Sequence, residues 1–420
     1  MTAHVLCLTS SGGIPVFVRK KGDGDMITFS KMASLNGVHM FLKSQNIELL
    51  CTDMPDTNVV WKEFEDSILL IAIASGTTNN VLNRFLEAVF SAMILIVGID
   101  EIKNPRNVER LKRDLRVCNP IIDRLLECLD IGDRICTKTD LVDMTDSIMS
   151  PENHLLQSCL EGYMECLDSL YGCVLVHGCL AVATESWWSL DPIERKLLII
   201  AATCDGTCTA RDLPVFLPNK SPNVAFRLVS VTLVNHIEVL ALCGPTPELA
   251  ETERLAIQSW RSSIDILRAA EQCYPRNFPA SVSLDSEILG FLLANHVIGK
   301  FVLSRNSQNS KNRVSGTHRL DILRTFYYQA VETFLLSGPS SDRDTEETDE
   351  SVKPSKPKHG QVFEGAKETY WCSEFHKCHA LKEGDYVFCV LYTSIVPTHT
   401  MRLISQKTLK TLLADKQVFW

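Results

Sequence analysis

Several familiar signatures are missing from this sequence of 420 residues. There are 16 cysteines but no C-x-x-C pair. They fall singly in apolar segments, as at Cys7, Cys51, Cys173 and Cys389. There they read as small core hydrophobes of a reducing compartment, not as a disulfide framework. Met1 to Leu8 lacks the basic n-region and the apolar length of a secretory signal. No apolar run reaches the ~18 residues that span a bilayer. The longest, Ala88–Ile99, is interrupted by Ser91 and reads as a buried helix. There is no myristoylation start and no prenylation end. These absences predict a cytoplasmic protein. There is no G-x-x-x-x-G-K-[ST], and Gly299-Lys300 lacks both the upstream glycine and the hydroxyl. GDGD at Gly22–Asp25 is not G-x-G-x-x-G and reads as a hairpin tip. H-E-x-x-H and G-x-S-x-G are absent as well. Neither a cofactor nor a catalytic side chain is therefore expected. The net charge of −9 argues against a general nucleic-acid binder, which is basic.

What is present is a repeated order of elements. The length predicts two to four domains, and 45% apolar with 22% charged residues is ordinary for soluble globular protein. A first unit, 1–130, opens on two short strands around the turn SSGGIP, followed by a helix at Phe29–Leu42. Ile47–Cys51, Asn58–Trp61 and Ser67–Ala74 then read as strands, the last apolar enough to be covered on both faces. A helix from about Thr78 to Val97 follows, with Thr78 or Asn79 as its cap. Further helix is predicted at Arg106–Val117 and Ile121–Leu129. A loop rich in Asp and Thr leads to a second unit, 152–279, and a helix at His154–Leu170. The order β-β-α-β-β-β-α then returns, with Pro192 at the first position of the α-helix and a closing helix at Glu248–Ala270. A third unit, 284–420, has one or two strands in Ile288–Leu303, a helix at Arg319–Leu336 and strands in TYWCSEFHKCHAL and YVFCVLYTS. It ends on a helix near Thr398–Leu413. Residues 338–360, acidic and then Lys/Pro-rich, have the composition of a disordered linker.

The helix at Phe29–Leu42 carries two apolar stripes. Phe29, Ala33 and Met40 fall on one side, and Leu35, Val38 and Leu42 on the other. A helix packed once needs one stripe. The second predicts an outer face offered to a partner; the alternatives are a helix sandwiched within one domain, or one ending near Asn36-Gly37. Arg106, Arg110 and Arg113 stand one helical turn apart in RNVERLKRDLR. They read either as a solvated face, with Glu109 paired to Arg113, or as a contact for an anionic membrane surface or acidic partner. Cys372, His376, Cys378 and His379 have side chains suited to zinc but no finger spacing. In a continuous strand Cys372, His376 and Cys378 share one face, and a half-buried edge strand is the favoured reading. Cys204 and Cys208 have no histidine near them, and Trp187-Trp188 reads as local packing.

Seven stretches together resemble the Fuzzy planar cell polarity effector family: SLNGVHMF (34–41), VVWKEFEDSI (59–68), RNVERLKRDLR (106–116), ATESWW (183–188), ARDLPVFLP (210–218), LCGPTP (242–247) and SEILG (286–290). The likeness runs in order through nearly the whole chain and is weakest over 340–385. It implies an α+β architecture of three tandem longin domains, each a mainly antiparallel five-stranded sheet with helices on both faces. It also implies pairing with Inturned, assembly with the WD-repeat protein Fritz, and a Rab-type or Rab-like GTPase as client. The implied place is the cytoskeleton at the ciliary basal body. The implied role is non-catalytic: a subunit that promotes nucleotide exchange by reshaping the GTPase, or a scaffold that only recruits it.

Overall fold

Thr2–Thr9 (β1) and Ile68–Ala74 (β5) are apolar almost without a break, and both lie buried at the centre of one sheet. The computed structural model describes residues 2–104, 107–129, 139–204, 209–305, 316–331, 335 and 366–414. The first sheet is completed by β2 (Pro15–Gly22), β3 (Cys51–Met54) and β4 (Thr57–Phe64), in the order β2-β1-β5-β4-β3. Every neighbouring pair is antiparallel. The β1–β2 turn needs Gly13 at φ +62, where a Cβ would stand 2.2 Å from the Asn36 side chain of helix α1 (Phe29–Ser44). Gly22–Asp25 joins β2 to α1 and so is not a hairpin tip. Ile47–Leu50 lies outside the strands, and pairing begins at Cys51.

Helix α2 (Asn79–Val97) starts where Thr78 accepts a hydrogen bond from Val81 N, and ends at Gly98 with φ 78. A Cβ at Gly98 would meet the Phe216 ring at 3.1 Å, so this helix end abuts the second unit. The helix is long and apolar enough to cross a bilayer, yet eleven of its side chains are buried in protein. It is a core helix. The shorter α3 (Ile99–Lys103), α4 (Val108–Asp114) and α5 (Asn119–Leu126) follow.

Next come β6 (Thr145–Asp146) and α6 (Asn153–Cys166). The second sheet is built from β7 (Tyr171–Val176), β8 (Cys179–Ala183), β9 (Ala210–Leu217), β10 (Ser221–Val234) and β11 (Ile237–Cys243), in the order β8-β7-β11-β10-β9. Between β8 and β9 lie α7 (Glu185–Trp188) and α8 (Pro192–Thr203), the latter opened by an Asp191/Glu194 capping box with Pro192 inside it. The expected helix over 248–270 is two, α9 (Leu249–Trp260) and α10 (Ile264–Glu271), separated by a 3-10 turn at Arg261–Ser263.

In the third unit Ile288–Leu303 resolves into two strands, β12 (Ile288–Asn295) and β13 (Lys300–Arg305). Helix α11 (Gly316–Ala330), β14 (Glu368–Cys372), β15 (His376–Glu383), β16 (Tyr386–Thr393) and α12 (Thr398–Ala414) follow. Five of these strands run in the order β14-β15-β16-β12-β13, and β6 adds a sixth, parallel to β13, from the connection between the first two units. The linker at 338–360 lies outside the described residues.

One apolar core runs through all three units. It joins α2 and α5 to the inner faces of the other sheets, at Leu175 and Leu240 and at Leu292 and Leu391. Buried Leu197 and Leu198 of α8, Leu323 and Tyr327 of α11, and Leu141, Val142 and Met144 of the connecting segment belong to it. Separate outer cores lie under α6, α9 and α10 on the second sheet and under α12 on the third. Topology makes α1, α8 and α11 equivalent, each following the first two strands of its unit. The second and third units turn this helix into the common core; the first turns α2 inward and leaves α1 outside.

Candidate functional site

Helix α1 covers a small satellite core of Leu6, Leu8, Val59, Trp61, Leu69 and Ile71, onto which Met32 and Leu35 pack. Its only buried side chain is His39, whose Nε2 lies 3.6 Å from Glu63. Lys43 reaches the same carboxylate at 2.6 Å. Partial burial pushes the Glu63 carboxyl up, but the Lys43 ammonium hydrogen-bonded to it, with the nearby His39, outweighs this and holds it below its usual value. A histidine and an ion pair thus occupy places that a firmly docked helix fills with leucine. Gly37 in mid-helix, with open space around it, costs about 1 kcal/mol more than alanine there.

Much of what the helix leaves exposed is apolar. Phe29 is 70% exposed, Phe41 64%, Val38 51% and Met40 44%. Ala33 is exposed beside them. The two stripes expected from the sequence are therefore redistributed. Leu35 and Leu42 are half-buried, while Val38, expected with them, lies outside. Val38 lies three positions from both Leu35 and Phe41, at the margin of the face that meets the sheet, and the sheet does not cover it. The helix also runs on past Gly37 to Ser44. Ile47, Leu50 and Met54 extend the exposed apolar surface toward edge strand β3, all four of whose residues face water. Scattered exposed hydrophobes are normal, but this many on one helix and the strand beside it point to an interaction site. β3 also leaves one edge unpaired, open to strand addition.

The arginine-rich stretch is short helix α4. Arg106 lies outside the described residues. Arg110 Nε is 3.4 Å from Asp114, and Arg113 Nε is 3.5 Å from the same carboxylate. Glu109 meets Lys112, not Arg113 as the sequence predicts.

Cys372, His376, Cys378 and His379 do not sit in one strand. Ser373 N donates to His376 O at 2.8 Å and closes a turn, so β14 and β15 form a hairpin in which Cys372 pairs with Lys377 and Tyr370 with His379. Cross-strand partners share a face, which puts Cys372 with His379 and apart from His376 and Cys378. The shared face expected for Cys372, His376 and Cys378 is thereby corrected. Cys378 belongs to the common core. His379 is buried, with Nδ1 2.8 Å from Ser405 Oγ and Nε2 3.5 Å from Glu368. Among the described residues no three His, Cys, Asp or Glu side chains converge as metal ligands. Cys208 lies outside the described residues.

Sequence reasoning misses a polar joint at the centre. Glu194, Arg195 and Lys196, consecutive on α8, are all buried. Glu194 accepts from the Asn219 and Lys220 amides at 2.7 and 3.0 Å. Lys196 Nζ lies 2.8 Å from Asp140, which also meets Arg124 at 3.4 Å. Arg195 and Lys300 each stand 4.9 Å from the Trp188 ring, joining the second unit to the third. Burial lowers both cations, Lys300 to about 8 and Arg195 to about 10. A polar cavity of about 410 Å³ opens beside this joint, lined by Arg124, Asp140, Asp146, Lys196, His236 and Glu238. Its lining mixes the Arg124 and Lys196 cations with the carboxylates of Asp140, Asp146 and Glu238. The sequence signal was the charged triplet abutting LLIIAA, a run too apolar to leave a solvated face.

Three family models match the chain in order. They are the First Longin domain of FUZ, MON1 and HPS1 over 3–125, the second over 167–261 and the third over 287–416. Protein fuzzy homolog of Xenopus tropicalis is 35% identical over 424 residues, covering 99% of this chain and 98% of that protein. The human Protein fuzzy homolog is 35% identical, covering 98% and 97%. That of Rattus norvegicus is 34% identical over the same shares.

Proposed function

The chain belongs to the fuzzy homolog family of planar cell polarity effectors, with three longin domains in one polypeptide, and from that premise we propose that it is a non-catalytic subunit of a ciliogenesis complex. In this reading it pairs with Inturned through its first domain, and the pair presents a Rab-type small GTPase with a surface that loosens its nucleotide. Fritz is a further member of the assembly, and the ciliary basal body is its place. One observation carries the proposal: of three equivalent helices, only α1 is left outside the common core, with Phe29, Val38, Met40 and Phe41 facing water. Gly37 lets a partner backbone approach this face closely. Exchange of this kind needs no acid, base or nucleophile. It needs a protein surface that binds the nucleotide-free GTPase more tightly than the loaded one. The α4 face is a weaker candidate for a membrane contact, because Glu109 and Asp114 offset its cations.

The test is co-expression of this chain with Inturned and a Rab-type GTPase, followed by mass measurement and by release of a fluorescent guanine nucleotide. A one-to-one pair that speeds release, where either chain alone does not, is the expected result. A pair that binds the GTPase without speeding release supports the recruiting scaffold. Absence of any pair removes the proposal.

A further inference from the structure

The exposed face of α12 bears His399, Arg402, Leu403, Lys407 and Lys410, and Thr398–Ala414 contains no acidic residue. In a chain of net charge −9, that is a local reversal of sign. Arg402 Nε lies 3.3 Å from Glu368, while Lys407 and Lys410 have no acidic partner among the described residues. The opposite face of the helix, Met401, Ser405, Thr408, Leu409 and Leu412, is buried on the third sheet. The helix is thus held firmly with its cations outward, unlike α4.

At the end of the sheet where α12 begins, two loops carry protruding apolar side chains. Phe375, in the β14–β15 turn, is 75% exposed, and Ile395, between β16 and α12, is 87% exposed, the highest of the large apolar residues described. His376 pairs with Thr393 across β15 and β16, so the two loops are neighbours. Lys377 Nζ donates to Val396 O at 2.7 Å and ties one to the other. Leu403 lies within the first two turns of the helix, 65% exposed. Each apolar side chain stands among polar neighbours: Glu374 and His376 around Phe375, Ser394 before Ile395. Tyr370 and Trp371 of the same hairpin are partly exposed as well. Single apolar tips beside a cationic helix face suit a deformable medium, in which the tips enter the acyl boundary and the cations meet headgroups. We infer that the α12 face and the Phe375/Ile395 tips dock the third domain onto an anionic lipid surface. An acidic protein is the rival occupant.

The full chain is sedimented with phosphatidylcholine vesicles with and without phosphatidylserine. Binding is expected only to the anionic vesicles, weakening with salt. The double variants K407Q/K410Q and F375S/I395S, each melting like the parent, should bind roughly tenfold more weakly or worse. In F375W, indole emission should shift to the blue on mixing. Failure of the parent to bind anionic vesicles, or unchanged binding by either double variant, overturns the inference. So does emission from F375W that moves only on addition of an acidic protein partner and not of lipid.

Discussion

His296 shows what burial does to a single titrating group. Its ring is stacked 5.8 Å from that of Tyr327, and desolvation lowers its pKa to about 4 from an ordinary 6.5. Asp143 pulls it upward and Lys382 and Arg84 downward, but burial dominates. As the pH falls from 6.5 toward 4, the unfolded chain takes up this proton before the folded one does. Stability tied to His296 is therefore whole above 6.5 and drains away on the descent to 4, by about 3 kcal/mol at the bottom. Denaturant midpoints measured through this window should fall for the parent relative to His296→Gln as the pH drops from 6.5 toward 4. Parallel curves would show that the histidine charges freely in the folded state. Nothing in the local sequence ANHVIGK marks this half-buried residue as desolvated. It is covered by α11, far along the chain.

At the scale of elements, α1 is the informative case. The excess of apolar side chains on this helix was legible because the apolar spacing of 29–42 exceeds what one contact uses. The assignment of Val38 was not, since 3.6-residue periodicity gives angles on a helix but not the width of the sheet under it. Charging the outer face by Phe29→Asp, Ala33→Asp or Val38→Asp should leave the melting temperature within about 2 °C of the parent, as surface changes of ~0.5 kcal/mol do. The same variants should fail to co-purify with Inturned. Leu35→Asp places a carboxylate against the satellite core and should cost roughly 1–3 kcal/mol. Thermal melts beside pull-down yields separate the two behaviours. If Leu35→Asp is silent, α1 is not seated on the sheet as described. The β14–β15 hairpin is the converse lesson. TYWCSEFHKCHAL alternates well enough for one strand, but Ser373 folds it back, and side-chain alternation carries no record of chain reversal.

For the whole molecule, the common core makes the three domains dependent on one another. The face of α2 turned away from the first sheet is covered by β9 and α8, and Thr145–Ser147 pairs with the third sheet and touches the second. Asp140 and Thr139 add an ion pair to Lys196 and a 2.7 Å hydrogen bond to Asp321. A fragment ending at residue 130 would expose the apolar side of α2 and should aggregate or melt far below the parent. The full chain should unfold in one calorimetric transition. A soluble, cooperatively melting first domain would contradict this.

The order β-β-α-β-β-β-α of the first two units was determined by the sequence alone, because strand alternation, helical spacing, Thr78 and the Asp191-Pro192 start are local properties; its third occurrence, with two strands in 288–305 and a hairpin in 368–383, appeared only in the structure. The absence of catalytic motifs was likewise determined by the sequence. Which helix of each unit faces inward was decided only in the tertiary structure. α1 and α8 carry apolar residues on more than one side, and only packing among three sheets determines which sides meet protein. The burial of Glu194, Arg195 and Lys196 follows the same logic. Charged residues enter a core only when distant partners such as Asp140 and the Asn219 amide are brought to them, and no local pattern encodes those partners.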